Sequence, residues 1–256
     1  MKHNPVIDCL LDHKSIRSYT DEDPNDEIIE IIMRAGQQAP FASQTYSMLL
    51  SRDRAKNPWK APLLWTVCID AYKFERIMEE RDWKMRMNDL SFIWLALQDA
   101  MLAAQNMIIA GRSLGLGSCL LGAAPRIADR IAERYDLPPR VFPVVQMTMG
   151  FSGEDPPCRP RYPIEYTMFE DRYPRFTGEE VREAMKVMDE GYLAQDYYVS
   201  KNAKIKLTVD REETYDFDTY SWTEHICRKI GQWNPDPEPM KKRLKDRGFD
   251  LDRVNP

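Results

Sequence analysis

The chain has 256 residues, 43% of them hydrophobic and 30% charged, which fits one soluble globular domain with at most an appendage. A formal charge of −5 argues against a general nucleic-acid binder but leaves room for a local basic pocket. Cys9, Cys68, Cys119, Cys158 and Cys227 are scattered with no C-x-x-C pair. That pattern argues against a disulfide framework or zinc site and for a reducing cytoplasm, as does an N-terminus without a signal peptide's apolar run.

Apolar residues at Val6, Ile7, Leu10 and Leu11 predict a short amphipathic helix over 5–12. The basic turn H-K-S-I-R (13–17) follows. T-D-E-D-P-N-D-E then reads as a helix start, with Pro24 in or near the first turn and the helix running to about Gln38. Residues 46–51 and 63–70 read as strands, the second apolar enough for a sheet interior. A polar, turn-rich linker joins them. Residues 72–87 predict a charged surface helix.

The most apolar stretch is 91–111. Gln98, Asp99, Gln105 and Asn106 interrupt it, and an intramembrane aspartate would be costly, so it reads as a buried helix wrapped by protein on most sides. G-L-G-S-C-L-L-G (115–122) reads as a glycine-rich turn. A helix over 125–137 and a strand over 141–151 complete the order α, α, β, β, α, α, α, β, an α+β layout with a small sheet among helices. From Pro163 the chain becomes more charged and aromatic. Helices are predicted near 178–198 and 221–232, a short strand or mobile basic loop within 198–209, and a last helix after W-N-P-D-P-E-P. The division is therefore 1–163 as core and 164–256 as an extension packed upon it.

Three segments could hold a flat, phosphate-bearing ligand. In the first turn Arg17 can fork two hydrogen bonds onto phosphate, Ser15 adds a hydroxyl, and Lys14 or His13 adds charge. The same five residues also fit a solvated basic turn. The 115–122 segment lacks G-K-[ST] and follows a helix, so it is neither a Walker loop nor a dinucleotide fingerprint. It fits a backbone approaching a ring closely, or equally a helix cap at Gly115 or Gly117 followed by a buried strand. In R-P-R-Y-P, Pro160 and Pro163 bias their predecessors toward an extended backbone, so one of Arg159 and Arg161 can face a ligand while the other faces back; the segment equally fits a surface turn. No metal cluster, nucleophile elbow or acid/base pair stands out, which suits chemistry carried by a redox cofactor.

In order and spacing these pieces resemble the FMN-dependent nitroreductase family. The matches are H-K-S-I-R-S-Y-T, A-P-F-A-S-Q-T-Y-S, W-T-V-C-I-D, S-L-G-L-G-S-C-L-L-G-A and M-G-F…R-P-R-Y-P, covering about residues 5–170. The tail is similar, more loosely, to the longer oxygen-insensitive, NADPH-linked nitroreductase and flavin reductase group. The resemblance implies a mostly antiparallel sheet, FMN at a homodimer interface, and NADPH or NADH as reductant in a ping-pong reaction. It implies a nitroaromatic, quinone or flavin acceptor, with no nucleic-acid or membrane partner and no catalytic side chain beyond the flavin.

By motif, His13, Lys14, Ser15 and Arg17 would hold the phosphate and ribityl end with Arg161, and Arg159 would flank it. Ser43 and Gln44 would lie along the isoalloxazine. Lys60 would meet its pyrimidine edge, where a cation offsets the charge that reduction adds. Leu120, Gly122 and Ala123 would pass close to ring and phosphate. Lys14 stands where arginine is more usual, Ala123 replaces a common glycine, and Leu120 replaces an aromatic residue. Lys201, Lys204 and Lys206 match the longer group's NADPH-recognition loop only in part, and 207–220 looks inserted. Other flavin reactions on the same scaffold, such as reductive dehalogenation, and a non-catalytic FMN carrier or sensor are the alternatives.

Overall fold

A computed structural model describes residues 3–252. The elements are α1 (Pro5–Leu11), α2 (Asp26–Gln37), β1 (Tyr46–Ser51), β2 (Leu63–Asp70), α3 (Tyr72–Glu79), α4 (Asp89–Ser113), β3 (Leu116–Leu121), α5 (Ala128–Tyr135), β4 (Val141–Phe151), α6 (Gly178–Leu193), α7 (Tyr197–Ser200), α8 (Trp222–Gly231) and α9 (Glu238–Asp246). The layout is the expected α+β one. Two compact units result: residues up to Pro156 together with those from Pro237 onward, and Pro157–Asp236. The division falls a few residues ahead of the composition shift, and the last helix belongs with the first unit.

Asparagines start three of the helices. Asn4 accepts from Val6 and Ile7 amides, Asn25 from Ile28 and Asn88 from Ser91. Pro24 therefore precedes the cap of α2 and is not within its first turn. α3 is shorter than predicted. Asp82 takes φ 58°, and Trp83 N–H closes back onto Met78 O at 2.8 Å, a left-handed stop that ends the helix despite helix-forming residues beyond it.

The sheet runs β1-β2-β4-β3, all antiparallel. β3 is the strand that the sequence order lacked. The buried residues of β2 and β4 meet α2 and α4 through Ile29, Ile32, Trp65, Met107, Met147 and Met149. α4 is buried along Phe92, Ala96, Ala100, Ala103 and Met107, but the expected wrapping on most sides does not hold. Leu90, Trp94 and Met101 form an exposed stripe at helical spacing, with Trp94 71% exposed in the single chain. After α9, fully buried Phe249 stacks on Phe92 at 6.3 Å, which ties the C-terminal segment to the first unit.

In the second unit α6 opens with a Thr177–Glu180 capping box. The predicted helix over 178–198 breaks at Asp196, φ 46°, which separates α6 from α7. No strand forms within 198–209; the segment is pinned. Ile205 N–H donates to the Tyr220 hydroxyl at 3.1 Å, and its carbonyl accepts from Arg228 at 2.9 Å. Arg228 is buried and grips both oxygens of Glu213 at 2.7 Å each, and Glu224 at 2.7 Å. Glu213 also lies 3.4 Å from Lys204.

Hydrogen bonding from Arg228 holds the Glu213 carboxyl down at about 2. A depressed carboxylate stabilises the fold above its unfolded pKa, and that contribution disappears as pH falls through the folded value. The stability gap between the native chain and Glu213→Gln, from urea titrations, is therefore expected to be constant near neutrality. It should shrink below about pH 4.5 and vanish by about pH 2. A gap that does not change with pH would show that the charge is not what matters.

Candidate functional site

The basic turn lies along β3. Ser15 pairs with Ser118 in parallel register, and Ile16 N–H donates to Ser118 O at 2.9 Å. Ile16 is buried, so alternation sends its neighbours Ser15 and Arg17 to the other side. Tyr19 locks the next stretch: its hydroxyl reaches Ile16 O at 2.7 Å and Thr148 Oγ1 at 2.8 Å. Burial pushes this phenol's pKa up, so it remains a donor. The close approach depends on Gly117, where a Cβ would lie 2.4 Å from both Ile16 Cγ1 and Ser152 Oγ.

Arg17 is exposed, with its guanidinium 5.7 Å from the Trp59 ring centroid. It also borders Cys119: burial pushes that thiol up, while Arg17 and Ser15 beside it act the other way. Lys14 differs. It is ion-paired with Asp155 at 2.6 Å and Asp12 at 3.4 Å, and the Asp155 hydrogen bond raises its pKa. Glu154 accepts from the backbone amides of Arg17 and Ser18. His13 is half-buried at the head of the turn.

Trp59 and Lys60 both have left-handed backbones, φ 53° and 52°, unusual for side-chain-bearing residues. Two groups hold this turn. Buried Asn57 donates to Ser51 O at 3.2 Å and Ala61 O at 3.0 Å. Arg54 donates to the carbonyls of Lys60 (3.2 Å), Thr20 (3.1 Å) and Glu22 (3.0 Å) and pairs with Asp23. Leu63 pairs with Met149, which pairs with Ser118, so Lys60 sits at the same end of the sheet as the basic turn. Neither Lys60 nor Arg17 has a carboxylate at ion-pair distance among the described residues. Leu120 is exposed near the end of β3, and Gly122 and Ala123 are exposed in the turn beyond it. A Cβ on Gly122 would meet nothing within 4 Å.

Ser43 and Gln44 lie elsewhere. They precede Tyr46, which pairs with Ile69 at the far end of β2 from Lys60. One six-residue strand separates the two ends, roughly 17–20 Å at strand rise. Within one chain the predicted residues of the first unit thus form two groups.

The Ser43–Gln44 loop is organised by Asp99 of α4, a residue that sequence reasoning noted only as an interruption. Asp99 is 1% exposed. Its carboxylate accepts from the amides of Ala42 (2.7 Å), Ser43 (3.1 Å) and Thr45 (3.1 Å) and from the Thr45 hydroxyl (2.9 Å). Burial would raise its pKa, but the Ala42, Thr45 and Ser43 amides outweigh that and hold it below the ordinary range. A lone acid in an apolar helix needs such partners, which was the available signal.

In the second unit the two arginines of R-P-R behave differently. Arg159 is half-buried, bonded to Gln195 Oε1 at 2.5 Å and 4.3 Å from the Tyr197 ring centroid. Arg161 is exposed and, among the described residues, its side chain bonds only to the backbone carbonyls of Arg159 and Pro160, each at 3.0 Å.

Residues 51–151 match the model of the nitroreductase family. An FMN reductase [NAD(P)H] of Bacillus subtilis is 31% identical over 186 residues, covering 66% of this chain and 75% of that protein. An FMN reductase (NADPH) of the same organism is 29% identical over 264 residues, covering 96% and 98%. The solved structure of a hypothetical oxidoreductase from Bacillus subtilis superposes with a TM-score of 0.81 at 26% identity, covering 98% of this chain and all of that one. The fold is thus the nitroreductase fold over nearly the whole chain. The chain belongs to the nitroreductase family and is an oxidoreductase.

Proposed function

We propose that the protein is an FMN-dependent reductase that takes reducing equivalents from NADPH or NADH and passes them, in ping-pong fashion, to a small nitroaromatic, quinone or flavin acceptor. One observation carries this reading: Arg17 and Lys60 are exposed cations without acidic partners among the described residues, held at one end of the sheet by buried anchors. That donor set fits an anionic, phosphate-bearing ring system. Bound FMN would supply the hydride chemistry.

In this reading Arg17 and Ser15 hold the phosphate and ribityl end, and Lys60 offsets negative charge at the ring. Lys14 balances its own acids. The two groups of site residues lie at opposite ends of the sheet within one chain, so a complete site takes Ser43 and Gln44 from a second copy. The exposed Leu90–Trp94–Met101 stripe is the natural face for that homodimer. The names of the Bacillus subtilis relatives support FMN and NAD(P)H. Lys204 is paired with Glu213, so both nicotinamides belong in the assay.

The test is anaerobic. The purified protein should show visible flavin bands that bleach on addition of NADPH or NADH and recover with an acceptor. Bands that neither nicotinamide bleaches would favour a carrier, and a protein that cannot be loaded with FMN would end the reading.

A further inference from the structure

We propose that Asp99 is a positioning residue for the flavin site, acting through the 42–45 loop; the inference rests on the reading above. Its carboxylate is the hub of that loop. Four donors converge on two oxygens: three backbone amides from 42, 43 and 45 and one hydroxyl. Asp99 is essentially sealed from solvent. A buried charge is tolerated only where such donors surround it, and each donor in turn is fixed by the charge.

The loop needs this fixing. Gln44 has φ 54°, a left-handed backbone for a residue with a side chain, and Ser43 beside it is only half-buried. Among the described residues Ser43 has no hydrogen-bond partner besides Asp99, and the Gln44 side chain makes one long contact, 3.5 Å to Gln37 O. Asp99 thus sets the direction of two side chains that it does not itself present. A neutral amide cannot replace it. Asparagine keeps one acceptor oxygen and turns an N–H₂ group toward backbone N–H groups.

Asp89 is the natural control. It is also a buried acid of α4, but it pairs with Arg140 at 2.7 Å and accepts from Asp250 N–H at 2.7 Å, away from the 42–45 loop. Asp99→Asn, Thr45→Val and Asp89→Asn would be compared with the native protein. The readouts are hydrogen exchange of a 42–45 peptide in the apoprotein, the FMN dissociation constant, the bound-flavin reduction potential and the melting temperature.

Asp99→Asn should speed exchange across 42–45, raise the FMN dissociation constant at least about tenfold and move the potential. Thr45→Val removes one donor and should do the same more weakly; it decides the matter if Asp99→Asn does not fold. Asp89→Asn should lower the melting temperature and leave the flavin readouts alone. Native affinity and potential in Asp99→Asn, or in Thr45→Val if it stands alone, would make Asp99 purely structural. Failure of the native protein itself to bind FMN would instead overturn the flavin reading, a separate result.

Discussion

Replacing Arg17 with alanine is expected to yield a folded protein that retains little FMN through purification. The arginine can supply charge-assisted hydrogen bonds to a phosphate, about 1.5–3 kcal/mol. Losing it raises the dissociation constant by roughly one to two orders of magnitude. Stability should change little. Arg17 is exposed, and its guanidinium lies 5.7 Å from the Trp59 ring centroid. Arg17→Lys should fall between, keeping charge but losing the fork. Flavin content and the melting temperature read the two effects separately. An Arg17→Ala variant that stays fully yellow would mean that the phosphate is held elsewhere.

Much of the first unit is legible in the sequence because its strands are apolar runs between turn residues. β1, β2 and β4 fall where their residues place them. β3 is absent from the predicted strand order because L-G-S-C-L-L is small and glycine-bearing and fits a ring-hugging turn as well as a buried strand after a cap at Gly115, which is what forms. Only its partner makes it a strand. Gly117 faces Gly150 across the ladder, and the room left by the missing side chains is filled by Ile16 on one strand and by Pro62 and Tyr19 on the other.

Long-range pairing hides other features for the same reason. Lys14 looks like an anion ligand until Asp155, 141 residues away, is seen beside it. Asp99 meets amides 54 to 57 residues distant. An almost wholly apolar helix such as α4 cannot show by periodicity which face meets its own chain and which is left for another. Arg159 and Arg161 did divide as an extended X-Pro-X segment requires, one inward and one outward.

Gly117 lets the basic turn lie against β3, and replacing it should disturb both fold and site. A Cβ there would lie 2.4 Å from Ile16 Cγ1 and 2.7 Å from Ile16 Cβ, far inside contact distance. Ile16 cannot yield cheaply, because it is buried and its amide is bonded to Ser118. Gly117→Ala should therefore lift the basic turn off β3, at an overpacking cost of about 1–3 kcal/mol. At roughly 2–4 °C per kcal/mol for a chain of this size, the melting temperature should fall by about 2–12 °C. FMN affinity should fall with it, because Ser15 and Arg17 flank the displaced residue. Gly122→Ala provides the contrast. Its Cβ meets no atom of this chain within 4 Å, so the melting temperature should hold while any loss of FMN affinity reports the ring passing close by. Calorimetry with flavin titration on both variants separates the cases. A Gly117→Ala protein that melts lower yet binds FMN as tightly as the native chain would detach the basic turn from the site and leave it a structural edge of the sheet.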